Sequence, residues 1–236
     1  MNSTLLVHAF NAEKKLVHID SVKNGIQCNC RCPGCNELLI AKNDGKIREH
    51  HFAHKSGSDC GTAYQTIMHI WAKELIVENQ LIPIGNNGKK SLVKTGKIWQ
   101  EINLTDLNII PDVFAVVNCI FNSNGRKAFL DIPVIVEIFV THQVDDKKAE
   151  IIRKAGIPAI EIDLSKSTAV TKEELKKDLY NIDNWYIINE TIGKQYLPHI
   201  SISVNQLLYA YKVAMSGYTY TQNFSKQYKG YSRRRR

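Results

Sequence analysis

Two long apolar runs, each broken by a single carboxylate, constrain this chain more than any other feature. The first is Ile109-Ile110-Pro111-Asp112-Val113-Phe114-Ala115-Val116-Val117, and the second runs from Ile132 to Val140 around Glu137. Strand-length segments without polar alternation belong to a sheet covered on both faces. Their neighbours complete the pattern. A helix is expected over 62–79, with Ile67, Trp71 and Leu75 on one face, ended by Pro83 and the Gly85-Asn86-Asn87-Gly88 cluster. Strands are expected at 91–94 and 98–104, with a turn at Asn122–Gly125. Then come a helix from Asp145 to Ala155 stopped by Gly156, a strand from Pro158 to Leu164, and a helix from Thr171 to Tyr180 with Glu174 three residues after its cap. Helix, three strands, helix, strand spells an α/β (α+β) fold, a mixed sheet flanked by helices.

An ionised carboxylate inside a covered strand is costly unless it is paired or binds metal. Asp112 and Glu137 present that problem on adjacent strands. Converging there, they would offer hard oxygen ligands to Mg2+ or Mn2+. The alternative places each at a strand end or sheet edge in ordinary salt bridges. Pro111, which cannot donate to a ladder, admits that view as well.

The first sixty residues hold short strand candidates at 5–10, 15–19 and 38–40, with turns at Lys23-Asn24-Gly25 and Asn43-Asp44-Gly45 and a further strand from Lys46 to Phe52. Large apolar side chains are too few here to stabilise a module alone, so it needs a staple. Four of the six cysteines, Cys28, Cys30, Cys32 and Cys35, fall within eight residues. Cys32-Pro33-Gly34-Cys35 has the gap that lets two thiolates reach one tetrahedral ion, and His51, His54 and Cys60 are the nearby suppliers of a second pair. The expected set is Cys32, Cys35, His54 and Cys60, a closed structural Zn2+ site. His51 in place of His54, or participation of Cys28 or Cys30, remains open, as does a plain reading of reduced surface thiols.

The sequence around these residues resembles the competence protein CoiA-like family within the PD-(D/E)XK nuclease superfamily. The likeness is carried by Cys32-Pro33-Gly34-Cys35 with His51-Phe52-Ala53-His54, by Thr66-Ile67-Met68-His69 with Lys73, and by Pro111-Asp112-Val113. It continues through Val136-Glu137-Ile138, Val140-Thr141-His142, Asp145 and Lys148 to Glu161-Ile162-Asp163-Leu164-Ser165. The resemblance implies a zinc-ribbon-like module followed by a restriction-endonuclease-like domain that cuts DNA with Mg2+. Asp112, Glu137 and the Ile138 carbonyl would then hold the metal. Two departures stand out. Phe139 occupies the position of the signature lysine, which leaves Lys148 on the following helix to replace it. Gln65 stands where a glutamate is usual, on a stripe with His69 and Lys73. Glu101 is a further candidate at the catalytic centre, and Lys73 and His142 are candidate DNA contacts.

With 31 basic and 23 acidic residues the net charge is +8, and the run Arg233, Arg234, Arg235, Arg236 supplies half of it. That balance suits a polyanion, and the tail is expected to touch phosphates. A helix around Leu207, Leu208 and Val213 is expected to pack on the core. The expected organisation is a zinc-binding β-rich module at 1–61, a nuclease-like domain at 62–190 and a basic aromatic extension at 191–236. DNA is the expected partner, with protein partners or self-association open. No run reaches the ~18 apolar residues of a membrane span, and the N-terminus lacks a secretory pattern. A cytoplasmic setting is expected.

Overall fold

The computed structural model describes residues 5–58, 60–86, 89–123 and 126–189. The expected extension at 191–236, with Leu207, Leu208, Val213 and Arg233–Arg236, lies outside the described residues. The chain divides into two units, one taking it to Ala72 together with Ser167–Lys176, the other Lys73–Lys166 and the chain from Lys177 on.

In the first unit, β1 (His8–Phe10) pairs antiparallel with β2 (Leu16–His18), and β3 (Leu39–Lys42) with β4 (His51–His54). Single bridges, Phe10 to Arg31, Arg31 to Leu38 and Gly25 to Ala41, tie these ribbons together. Between them lies a small core of Ala9, Ile19, Cys30, Cys32, Leu39, Ala41, Phe52 and Ala63. The strand expected from Lys46 starts only at His51. The His50 ring explains the delay: its Nδ1 lies 2.5 Å from Asp20 Oδ1 and its Nε2 3.0 Å from the Gly45 carbonyl, which curls the segment into a loop. The helix α1 (Ala63–Asn79) leads from this unit into the second.

The second unit opens with a hairpin of β5 (Leu81–Asn86) and β6 (Lys89–Lys94). The Pro83 and Gly85 segment, expected to be a helix-ending loop, is instead a strand. Proline costs it little because β5 pairs only with β6 among the described residues, an edge-type position. Five strands form the main sheet. They are β7 (Lys97–Gln100), β8 (Val113–Ser123), β9 (Arg126–Phe139), β10 (Ala159–Asp163) and β11 (Trp185–Asn189), in the order β11-β10-β9-β8-β7. Pairing is antiparallel except between β9 and β10, which are joined through α2 (Asp146–Ala155). The helix α3 (Lys172–Leu179) precedes β11 and begins with the expected capping box. The Glu174 N–H donates to Thr171 Oγ1, and the Thr171 N–H donates back to Glu174 Oε2.

The apolar runs behave as covered strands should: Val113–Val117 and Ile132–Ile138 are buried without alternation. Ile135, Phe114 and Val116 pack with Ile152 of α2 and with Ile157 and Ala159. Two expected boundaries move. The strand placed at 98–104 stops at Gln100, because Glu101 adopts a left-handed backbone with φ of 48°. The run at Ile109 does not enter the sheet until Val113: Ile109 bridges back to Leu104, and Pro111 has no N–H for the ladder. Asp145 caps α2 by accepting the Lys148 N–H at 2.7 Å, and Gly156 closes it at φ 68°.

Candidate metal centres

The Cys32-Pro33-Gly34-Cys35 segment forms a tight turn. The Asn36 N–H donates to the Cys32 carbonyl (2.9 Å), and the Cys32 N–H to the Glu37 carbonyl (2.8 Å). The backbone N–H groups of Cys35 and Gly34 point at the Cys32 sulfur. Strand β4 delivers His54, and the segment before α1 delivers Cys60. One ligand atom from each of Cys32, Cys35, His54 and Cys60 lies within 4.8 Å of the others, with Cys35 Sγ 3.4 Å from His54 Nε2. Three sulfurs and one imidazole nitrogen at this spacing could hold a tetrahedral ion such as zinc.

Close packing maintains the cluster. A Cβ on Gly34 would sit 2.6 Å from Thr62 Oγ1 and 2.7 Å from both the Ala63 nitrogen and Cys60 Sγ. Only glycine fits there. Burial pushes the Cys32 thiol up to about 12, so a lone thiolate would be poorly tolerated at that position. The other suppliers stand apart. Cys30 is fully buried in the small core, Cys28 Sγ faces the Leu39 carbonyl, and His51 Nδ1 lies 2.9 Å from the Glu49 carbonyl.

In the second unit the strand register assembles acidic residues in a row. Gln100 faces Val113 and Val113 faces Val136; just beyond these pairs the Glu101 N–H donates to the Asp112 carbonyl at 3.1 Å, and Glu137 follows Val136. Across the parallel pair Glu137 faces Glu161, and Glu161 faces Tyr186 on β11. Partners in register point to the same face of a sheet. Asp112 sits where the β8 ladder ends, and its Oδ2 accepts the Ile138 N–H at 2.8 Å.

Glu137 is only 3% exposed. Lys148 Nζ donates to its Oε2 at 2.8 Å and to the Ile110 carbonyl at 2.9 Å, whereas Glu137 Oε1 is buried without a hydrogen-bond partner. Burial raises the Glu137 carboxyl to about 7, with the Asp112 charge adding to the rise and Lys148 opposing it. Phe139, two residues on, offers this environment no polar group.

Other expected site residues fall in varied places. Lys73, expected as a DNA contact, is 6% exposed, and its ammonium meets Glu101 Oε1 at 2.5 Å. It is a buried partner rather than a surface cation. Gln65 and His69 occupy the part of α1 that groups with the first unit, both half-buried. His142 is exposed, its Nδ1 2.8 Å from Thr141 Oγ1.

Glu161, part of the family likeness but not among the expected site residues, is a second buried carboxylate beside Glu137. Its Oε1 accepts the Val144 N–H at 2.6 Å, and burial raises its carboxyl. The signal was present: Ala159-Ile160-Glu161-Ile162 is another apolar strand broken by one acid.

Residues 13–63 match the family described as the competence protein CoiA, N-terminal domain. The matched segment contains the Cys32, Cys35, His54 and Cys60 cluster and ends before the acidic row. No curated protein and no solved structure matches the chain. Among the described residues, no helix is long and apolar enough to cross a membrane.

Proposed function

We propose that the second unit is a metal-dependent nuclease that hydrolyses DNA phosphodiesters, built in a restriction-endonuclease-like manner. Asp112, Glu137 and the Ile138 carbonyl would hold Mg2+ or Mn2+. The first unit would be a zinc-ribbon-like module with a structural Zn2+ on Cys32, Cys35, His54 and Cys60. One observation carries the reading: Glu137 Oε1 is buried and lacks a hydrogen-bond partner, on a residue next to Ile138, whose N–H donates to Asp112. A buried carboxylate oxygen without a partner is costly, and a hard cation shared with Asp112 would remove that cost. The order α1, β7, β8, β9, α2, β10, with Asp112 just before β8 and Glu137 on β9, supports the same reading.

Each side chain has a task in this scheme. The Ile138 N–H fixes the Asp112 carboxylate at the end of β8. Lys148, reaching in from α2, would orient the attacking water and offset phosphate charge, a role closed to Phe139. Glu101, held by Lys73, would add negative potential beside Asp112. The divalent ion, when bound, would lower the pKa of a water and stabilise the leaving oxygen.

The test is cleavage of single- and double-stranded DNA with Mg2+ or Mn2+. Asp112→Ala and Glu137→Ala are expected to abolish it while zinc content and circular dichroism stay as in the wild type; undiminished cleavage in both variants removes the mechanism. Phe139 and the engaged state of Asp112 and Glu137 favour a second reading, a catalytically silent DNA-binding or partner-recruiting module. That reading predicts salt-sensitive gel shifts with no nicking under either metal.

A further inference from the structure

Between Glu78 and Glu101 the sequence contains no acidic residue, yet it carries Lys89, Lys90, Lys94 and Lys97. The fold places all four on the β5–β6 hairpin and the first residue of β7. This hairpin is firmly anchored. Gly85 lies so close to β11 that a Cβ would fall 2.5 Å from the Ile187 side chain, and Ile82 is fully buried. At the other end Thr95 is buried; its hydroxyl donates to the Val116 carbonyl at 2.5 Å, and its N–H donates to the Gln80 carbonyl at 2.8 Å.

The outer strand β6 presents Lys89 and Lys94 to solvent. Lys90 does something more specific. Its ammonium donates to the Ile182 carbonyl at 3.1 Å and stands 5.9 Å from the centre of the Tyr186 ring, which is half exposed on β11. Lysines on an edge strand deter aggregation, but that role needs no exposed tyrosine braced by a cation. Tyr186 also lies in the same register row as Glu137, two strands away, about 10 Å at ~4.8 Å per strand.

We propose that the β5–β6 hairpin and Tyr186 form a binding arm for a nucleic-acid strand. Lys89 and Lys94 neutralise phosphates, and Tyr186, its ring held by Lys90, stacks on a base. The choice of partner rests on the proposed nuclease reading; the surface itself does not depend on Asp112 or Glu137.

The experiment measures anisotropy of a labelled oligothymidylate on the full chain, in buffer free of divalent ions, from about 50 to 200 mM salt. In the double variant Lys89→Gln, Lys94→Gln, the slope of log affinity against log salt is expected to shrink by about 1.4, from ~0.7 per lost contact on a single strand. Tyr186→Leu is expected to weaken binding about five-fold or more at unchanged slope, and Tyr186→Phe to restore it. A control with the same loss of charge at exposed positions, Lys166→Gln with Lys177→Gln, should bind as the wild type does. Equal weakening in the control pair, or none in the hairpin pair, overturns the arm. So does binding of the same lysines to phosphatidylserine vesicles without binding to the oligonucleotide. Salt-sensitive loss of binding in a protein that never cleaves DNA leaves the arm standing and removes hydrolysis alone. Cleavage with unaltered binding in the hairpin variants removes the arm alone.

Discussion

Replacing Glu137 by glutamine removes a charge from a site that tolerates it poorly, and the stability consequence can be worked from the structure. The Glu137 carboxyl rises from 4.5 to about 7, chiefly through burial. Between those values the folded chain keeps a proton that the unfolded chain has released. Stability from this group is therefore highest below about pH 4.5, falls as pH rises to about 7, and is flat above. At 3% exposure solvent screening is slight, so the gap corresponds to about 3 kcal/mol lost by pH 8. Glu137→Gln, which keeps shape and hydrogen-bonding capacity, should accordingly be the more stable protein at pH 8 without divalent ions. The two should converge near pH 4.5. A shallower slope of the same sign will remain in the variant, because burial raises Glu161 too.

Divalent ions close most of that gap. At roughly one hundred times its dissociation constant Mg2+ stabilises the wild type by about 2.7 kcal/mol, and it has far less purchase on the amide. Urea unfolding followed by fluorescence of Trp99 and Trp185, with zinc held constant, reads all four conditions. A Glu137→Gln protein that unfolds more easily than the wild type at pH 8 without Mg2+ would refute the reasoning, since the carboxylate would then be satisfied rather than strained by its burial.

The remaining expectations concern the supports of both sites. Gly34→Ala drives a Cβ into the Ala63 nitrogen and Cys60 Sγ, and zinc affinity measured against a chromogenic chelator should fall roughly ten-fold or more, the usual scale for groups that orient ligands. Cys28→Ser should keep a full complement of zinc by elemental analysis, because its thiol faces the Leu39 carbonyl, whereas Cys60→Ser should lose it. The Lys73 and Glu101 pair should respond asymmetrically. Glu101→Gln removes the carboxylate partner of a buried ammonium and should be destabilising, by less than a fully buried pair because Glu101 is largely exposed, while Lys73→Met should be close to neutral in thermal or urea unfolding.

Much of this architecture could be read from residues, and the exceptions share physical causes. Periodicity and caps located α1, α2 and α3 within a residue or two, because Asp145, Gly156 and the Thr171–Glu174 box are local signals. The grouping of Cys32, Cys35, His54 and Cys60 was legible because spacing restricts which thiolates can reach one ion. His54, expected with His51 as the alternative, is the histidine that lies with the three thiols. What the sequence concealed depends on tertiary contacts. The β5 strand runs through Pro83 and Gly85, residues that locally argue for a loop. The glycine is there because Ile187, about a hundred residues away in sequence, leaves no room for a side chain. Lys73 looked like a helical surface cation because nothing local announces that α1 is buried on that side.

The position of the lysine in the acidic row illustrates how a motif and a geometry can part. A lysine two residues after Glu137 would share its face of the strand simply through the two-residue repeat. Phe139 removes that route, yet an ammonium still meets Glu137, delivered by a helix whose first turn is fixed by the Asp145 cap. The chain linking these parts is short. Glu161 holds the Val144 N–H, Val144 precedes the cap, the cap sets the start of α2, and the first turn of α2 carries Lys148 back to β9. The links are hydrogen bonds and one peptide bond, so the ammonium is positioned through the fold rather than by strand alternation. A carboxylate on the adjacent strand thereby acquires a reason to be buried: it fastens the connection on which the displaced lysine depends. On this reasoning Glu161→Ala, by releasing the Val144 N–H, should loosen Lys148 and move the Glu137 carboxyl further up. A carboxyl titration followed by isotope-edited infrared spectroscopy would show it, and an unchanged Glu137 titration would break the chain at its first link.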